Sequence, residues 1–330
     1  MLMLAVSDGR AGNRRQAEAL AAALAARLGA DWSHHLLAPR QPWKALAPRW
    51  LPMAPWGFDP GWLQRLDADR PALVIGCGRQ AALATRIARR RLGAATRCVQ
   101  ILDPRLGRNV WDLLVLPEHD RYRDADTLTC TGSLHAIDEA WLESARERHH
   151  ALGTLPSPRR ALLLGGPTAD CRWNLDHALD WIGRLHGARR TQGGSALLVG
   201  SPRTPPAWRE ALRQAAAGFE LCWLDGGDGD NPYAGVLAWA DRLIVSPDSA
   251  NLLSEACATT AEVLLPARPA QRGRIGRLHA RLLETGRVRP LDAEDRPAAP
   301  VTPLRETARI AGQILERLGP ALARAARPDR

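Results

Sequence analysis

The residues best placed to do chemistry stand where an apolar run gives way to a helical pattern. Ser246-Pro247-Asp248-Ser249 follows Leu243-Ile244-Val245 and opens a segment in which Leu252, Leu253 and Ala256 recur at helical spacing. A strand, a tight turn and a helix start aim unpaired backbone N–H groups and the positive end of a helix dipole beyond the strand, so phosphate is the expected ligand. Asp248 or Ser249 can cap that helix, and Ser254-Glu255 lie further along it. The plain alternative is a capped helix with a solvated Glu255.

Two stretches of the same half repeat the idea. Gly165-Gly166-Pro167-Thr168 ends an apolar run and precedes Arg172-Trp173-Asn174, and Ser201-Pro202-Arg203-Thr204-Pro205 ends the next run. Small residues, hydroxyls and arginines at three strand ends suit a diphosphate. The Gly/Asp-rich stretch 225–232 offers carboxylates for a cation but lacks the ligand spacing of a calcium loop.

In the first half, Asp8-Gly9-Arg10-Ala11-Gly12-Asn13, with Gln16 one turn on, also joins an apolar run to a helical pattern. Gly9 and Gly12 allow a tight turn or close approach to a ligand, but the spacing is not Gly-x-Gly-x-x-Gly, so classical NAD binding is disfavoured. Gly76-Cys77-Gly78-Arg79 is a weaker version of the same arrangement. Glu118-His119-Asp120-Arg121, after the run ending at Pro117, supplies two carboxylates and an imidazole. Such a group suits a general base or a metal ligand, and equally a polar surface loop.

The elements that must position these loops alternate. Strand-like runs at 2–6, 72–77, 98–102 and 113–116 are separated by helical patterns at 13–28 and 79–92. A second series at 161–164, 196–199, 220–224, 243–245 and 263–265 accompanies helices at 175–187, 205–217, 249–258 and 273–285. This is the pattern of parallel sheets covered by helices, and predicts two doubly wound Rossmann-like α/β domains. The linker falls at 152–158, giving domains at 1–155 and 156–302, with a final segment 303–330 whose helix carries Ile310, Ile314 and Leu318 on one face and is expected to pack back on the first domain. Ligands of such sheets lie beyond the carboxyl ends of the strands, where all the loops above stand.

With 330 residues, 45% of them hydrophobic, the chain has the size and composition for two globular cores. Six scattered cysteines without a metal-ligand spacing read as reduced core thiols, and no metal is expected. Residues 2–6 read as a first strand rather than a secretory signal, and no apolar run is long enough to span a bilayer, so the expectation is a cytoplasmic chain. The formal net charge of +10 favours anionic partners. Nucleic acid is disfavoured, because no recognisable nucleic-acid-binding motif accompanies the charge.

Segment 41–58 stands apart: Trp43, Trp50, Trp56 and Phe58 are interleaved with prolines, Lys44 and Arg49. Aromatic and basic residues mixed in this way suit peripheral contact with the inner face of the cytoplasmic membrane, the alternative being an irregular loop tucked against the sheet. The arginine-rich helix at 84–97 reads as a solvated face, with the membrane surface as its other use.

Taken jointly, Asp8 to Asn13 with Gln16, Val99-Gln100-Ile101 with Asp103-Pro104-Arg105, Pro117 to Asp120, Gly165-Gly166-Pro167 with Arg172-Trp173, Arg203-Thr204-Pro205, and Asp248-Ser249 with Ser254-Glu255-Ala256 resemble the plant elongated-mitochondria (mitochondrial fission) proteins and their bacterial homologues. The likeness spans residues 7–292; plant members often carry proline and histidine where this chain has Ala11 and Asn13. It implies a glycosyltransferase-B-like fold, two domains facing a cleft, and a sugar transferase using a nucleotide-activated donor and needing neither metal nor cofactor. By the same resemblance Ser249 and Ser254 would meet phosphate or ribose, Glu255 the ribose hydroxyls, and Arg172 and Arg203 the diphosphate. Gly9, Gly12, Asn13, Gly165, Gly166 and Asp248 complete the expected binding set, and Asp8, Glu118, His119 and Asp120 are the candidate bases. The expected acceptor is a cell-envelope glycolipid or glycan; the competing expectations are a nucleotide-sugar epimerase on the same fold and a non-catalytic fission-type membrane adaptor.

Overall fold

The computed structural model describes residues 1–106, 110–120, 123–266, 273–293 and 300–325. Arg121 and the start of the proline-rich stretch 297–303 therefore lie outside the described residues. Two units divide the chain: residues 1–136 with the described residues from Arg305 on, and residues 137–304.

The first unit runs β1 (Leu2–Ser7), α1 (Ala11–Leu28), β2 (Asp31–Leu36), α2 (Trp43–Leu46), α3 (Pro60–Asp69), β3 (Leu73–Cys77), α4 (Arg79–Leu92), β4 (Arg97–Ile101), β5 (Leu113–Pro117) and β6 (Thr127–Cys130). The second runs α5 (Glu139–Arg148), α6 (His150–Gly153), β7 (Arg159–Leu163), α7 (Leu175–Gln192), β8 (Ser195–Val199), α8 (Arg209–Ala215), β9 (Leu221–Trp223), α9 (Tyr233–Trp239), β10 (Arg242–Val245), α10 (Ala250–Cys257), β11 (Glu262–Leu265), α11 (Gly273–Glu284) and β12 (Val288–Pro290). The last helix, α12 (Glu306–Ala325), returns to the first unit.

Each unit holds one six-stranded, wholly parallel sheet, ordered β2-β1-β3-β4-β5-β6 and β12-β11-β10-β7-β8-β9. Parallel sheets are covered on both faces, which is why the interior strands are continuous apolar runs. Met3, Ala5, Leu73 and Ile75 face a core completed by Leu20 and Leu24 of α1 and Ile310 and Ile314 of α12, while Leu4, Val6 and Val74 face Trp62, Leu83 and Ile87 of α3 and α4. Leu162, Leu164, Ile244 and Val245 belong to the core of the second unit.

The passage between units falls at residues 136 and 137, not in the predicted linker 152–158. Ile137 and Leu142 join the second unit's core, and α5 and α6 pack on α9, which carries 137–155 into that unit. All six cysteines are free and five are buried; burial pushes the thiols of Cys98 and Cys130 up to about 12. No helix among the described residues is long and apolar enough to cross a membrane.

Candidate functional site

The topology selects one place in each sheet. In the first unit the chain leaves β1 to one side for β2 and returns on the other for β3; in the second it leaves β7 for β8 and β9 and returns beyond β7 for β10. The loops after β1 and β3, and after β7 and β10, therefore flank the switch points where doubly wound sheets open a crevice.

At the switch point of the second unit the side chain of Asp248 is fully buried. Its Oδ1 accepts from Ser246 Oγ at 2.8 Å and Trp173 Nε1 at 3.1 Å; its Oδ2 accepts from Gly166 N at 3.0 Å and Arg203 Nη2 at 2.6 Å. Ser246 Oγ in turn accepts from Gly165 N at 2.7 Å, and the Thr204 hydroxyl donates to the Gly165 carbonyl at 2.8 Å. One carboxylate thus ties together the carboxyl-end loops of β7, β8 and β10. Burial raises its pKa above the ordinary carboxylate value, against the pull of Arg203.

The glycines of this network are required by the closeness of the loops. A Cβ on Gly165 would stand 2.2 Å from Asp248 Oδ2, and one on Gly166 would stand 2.0 Å from the Arg203 carbonyl oxygen. Asp248 therefore works inside the protein rather than as a helix cap. The cap of α10 is Ser249, whose Oγ accepts from Leu252 N at 3.3 Å. Arg203, paired through one nitrogen and with its side chain 46% exposed, keeps donors for an outside group. Arg172 is exposed on the β7–α7 loop.

Ser254 is buried and donates to the Ala250 carbonyl at 2.7 Å, so its hydroxyl turns back along α10. Glu255 is 5% exposed and accepts from the Tyr233 hydroxyl at 2.5 Å. Tyr233 was not singled out by the sequence reading; the signal available was scarcity, because the chain has two tyrosines. Arg287 closes the other end of α10, donating to the carbonyls of Ala256, Cys257, Thr259 and Ala261. A buried cation at a helix C-terminus complements the dipole whose positive end faces the switch point.

Beside this network lies a cavity of about 600 Å³ in the second unit, lined by Asn174, His177, Trp181, Arg184 and Asp292 among others. Trp181 packs on Trp173, the donor to Asp248. In the 225–232 loop, Asp225 and Asp228 are taken by Arg209 and Arg213 and by backbone N–H groups of residues 224, 225 and 227, so this turn caps itself.

At the switch point of the first unit, Asp8 Oδ1 accepts from Asn13 Nδ2 at 2.9 Å and Arg10 N at 3.3 Å. The Asn13 amide presses on Gly78, where a Cβ would come within 2.4 Å of its nitrogen. Gly9, with φ of 78°, makes the turn, and Gln16 Nε2 donates to the Gly12 carbonyl at 3.3 Å. Neither α1 nor α4 is closed by the side chain of its N-cap residue, Arg10 or Gly78.

Glu118, His119 and Asp120 stand elsewhere. They follow β5, three inter-strand steps from β1, or about 14 Å at roughly 4.8 Å a step. Glu118 accepts from Thr131 Oγ1 at 3.0 Å, while Thr131 N donates to Glu306 of α12, and Asp120 is buried. The structure brings Asp8, Gly9, Gly12 and Asn13 together as one group, and Gly165, Gly166, Arg203 and Asp248 as another, but not Asp8 with Glu118, His119 and Asp120.

The family model for mitochondrial fission ELM1 matches residues 11–318. The chain belongs to this family. Mitochondrial fission protein ELM1 of Arabidopsis thaliana is 30% identical over 282 residues, an alignment covering 77% of this chain and 66%, just under two thirds, of that relative. Among solved structures, the UDP-GlcNAc 2-epimerase of Methanocaldococcus jannaschii is similar with a TM-score of 0.60 at 13% identity, over 96% of this chain and 100% of that one. The UDP-GlcNAc 2-epimerase of Neisseria meningitidis, bound to UDP-GlcNAc, has a TM-score of 0.55 at 11% identity, over 99% and 94% of the two chains. At such identities the likeness concerns the fold: two Rossmann-like α/β units of the glycosyltransferase-B kind.

Proposed function

We propose that this family member binds a nucleotide sugar in its second unit and transfers the sugar to a glycolipid or glycan acceptor at the inner face of the cytoplasmic membrane. The observation that carries the reading is the half-exposed Arg203, fixed by buried Asp248 at the switch point beside the N-terminus of α10. A preset cation and a helix N-terminus are what a departing diphosphate needs.

In this reading the acceptor hydroxyl gives its proton to a base as its oxygen bonds to the anomeric carbon. The bond from that carbon to the phosphate oxygen breaks, and the nucleoside diphosphate leaves with the electron pair, its charge met by Arg203, Arg172 and the α10 amides. Glu255, oriented by Tyr233, receives ribose hydroxyls. Asp8, at the first unit's switch point, is favoured as base over Glu118, His119 and Asp120. No metal or cofactor enters the proposal; the nucleotide sugar is a substrate.

Solved structures similar in fold include UDP-GlcNAc 2-epimerases, and this supports a second reading in which the sugar nucleotide is isomerised without an acceptor. Incubation with UDP-GlcNAc alone, followed by analysis of the sugar, separates the two. An isomerised product without acceptor supports the epimerase; an unchanged donor that is consumed once a membrane extract is added supports the transferase. If no nucleotide sugar at millimolar concentration shifts the melting temperature, neither holds and a non-catalytic adaptor is favoured.

A further inference from the structure

Segment 41–58 is a folded cap with one apolar side turned outward. Phe58 is buried, Trp43 lies under Gly57 and donates to the Pro52 carbonyl at 3.3 Å, and the Trp50 ring sits 3.9 Å from the Arg90 guanidinium carbon. Arg86 donates to the Pro48 carbonyl at 2.5 Å, and Arg40 N to the Gly57 carbonyl at 2.8 Å. Three of the four aromatic residues are thus spent on holding the segment to α4 and to itself.

The remaining apolar groups face solvent. Met53 is 66% exposed and Trp56 63%, and Leu46 is also exposed. Met53 precedes the 3₁₀ turn Ala54–Gly57 and Trp56 lies within it, the Trp56 N–H donating to the Met53 carbonyl at 2.9 Å. Met53 also has φ of 56°, a left-handed backbone in which a non-glycine residue costs about 1 kcal/mol. An apolar side chain held out to solvent by a strained backbone runs against stability, so a use outside the protein is the physical reason to look for.

The surroundings define the partner. Residues 37–58 contain Arg40, Lys44 and Arg49 and no Asp or Glu, and all three basic residues are exposed. The arginines of α4 are excluded from this role, because Arg89 and Arg91 pair with Asp112 and Asp67 while Arg79, Arg86 and Arg90 hold the segment. A protruding methionine and tryptophan in a segment whose charged side chains are three exposed basic ones fit an interface with anionic head groups outside and acyl chains within.

The segment also borders the first unit's candidate loops. Arg79 and Gln80, in the first turn of α4 after Gly78, donate to the Ala45 and Lys44 carbonyls at 3.3 Å each. Leu36, which is 57% exposed, reaches to where a Cβ on Gly9 would be, 3.2 Å away. We infer that Leu46, Met53 and Trp56, with Arg40, Lys44 and Arg49, dock on an anionic lipid bilayer and thereby bring the Asp8–Asn13 loop to the membrane surface, where a lipid-linked acceptor is presented. This rests on the transferase reading for the acceptor, but not for the docking.

The test is co-sedimentation of the full chain with phosphatidylglycerol-containing and pure phosphatidylcholine vesicles. The wild type should bind the anionic vesicles and not the neutral ones. Met53→Ser with Trp56→Ser should lower the apparent partition coefficient at least tenfold, and Lys44→Gln or Arg49→Gln about fivefold each. Leu283→Ser, an exposed leucine of the second unit, should change nothing. Failure of the wild type to bind, equal binding to both vesicles, or undiminished binding of the double variant overturns the inference. So does a concentration-dependent dimer, abolished by the double variant, in a protein that ignores vesicles, since a second copy then covers the patch. The melting-temperature response to a panel of nucleotide sugars at millimolar concentration is measured on the same samples; no response to any of them beside intact vesicle binding refutes the transferase reading alone.

Discussion

Arg203 Nη2 stands 2.6 Å from Oδ2 of Asp248, an exposed guanidinium locked to a carboxylate with no accessible surface. The pair joins the loop after β8 to the loop after β10, with Gly166 N as a third partner from the loop after β7. Through it the second unit holds a guanidinium in place, a preorganisation that would lower the cost of ordering for the donor binding proposed above. Because the pair is buried on one side, removing Asp248 frees more than a charge: Trp173, Ser246 and Gly166 lose an acceptor together.

The tightness of the loops is testable through Gly166. An alanine there places its methyl 2.0 Å from the backbone oxygen of Arg203, so the loop after β8 must move. Gly166→Ala should lose about 1–3 kcal/mol in urea unfolding and weaken nucleotide binding. Gly183→Ala, within α7 and with nothing within 4 Å of the added carbon, should gain about 0.5–1 kcal/mol. Equal effects at the two positions would contradict the loop packing described.

The pH dependence of stability carries the signature of Asp248. Burial raises its folded pKa above the ordinary 3.8, so on raising pH the unfolded chain loses this proton first and the folded chain later. Stability contributed by the group therefore falls as pH rises from 3.8 through the raised value, and is level above it. Asp248→Asn removes that slope. The stability of the wild type minus that of the variant, followed by denaturation across this window, should decline with pH; a rising difference would show that Arg203 outweighs burial.

Arg287 is expected to set the stability of α10. Its guanidinium serves four backbone carbonyls, while a lysine ammonium at the same place reaches fewer and leaves buried acceptors unpaired. Arg287→Lys should cost on the order of 3 kcal/mol in chemical denaturation, with hydrogen exchange in α10 accelerated most. Exchange unchanged in α10 would separate this arginine from the helix.

Tyr233 and Glu255 test the ribose contact. If Glu255 receives ribose hydroxyls, UDP should bind the wild type about tenfold more tightly than its 2′,3′-dideoxy analogue, and Glu255→Gln should narrow that preference. Tyr233→Phe should narrow it less, since the carboxylate survives but loses its 2.5 Å donor. Identical affinities for UDP and the analogue in the wild type would remove Glu255 from the ribose.

Much of this was legible in the sequence, and what was not has a physical cause. Buried strands such as β3, Leu-Val-Ile-Gly-Cys, announce themselves as apolar runs because both faces are covered. Three of the four edge strands, β2, β6 and β12, do not, whereas the fourth, β9, lies in the predicted run 220–224: Asp-Trp-Ser-His-His-Leu of β2 has no apolar run to find, since that strand is half open to water. The strand-end loops were visible from their glycines and hydroxyls, and the doubly wound order explains why they matter. The inward turn of Asp248 was not visible, because its partners Gly166, Trp173 and Arg203 lie 82, 75 and 45 residues away. Local spacing also could not sort Trp43 and Trp50, which hold the 41–58 cap, from Trp56, which leaves it.

The most direct measurement is the melting temperature of the wild type and of Arg203→Ala with UDP-GlcNAc titrated to millimolar concentration. The wild type should gain about 2.7 kcal/mol of stability when the ligand is 100-fold above its dissociation constant, and Arg203→Ala should need roughly tenfold more ligand for the same gain. No shift in the wild type with any nucleotide sugar, or the same titration curve for both proteins, would contradict a donor site built on Arg203 and Asp248.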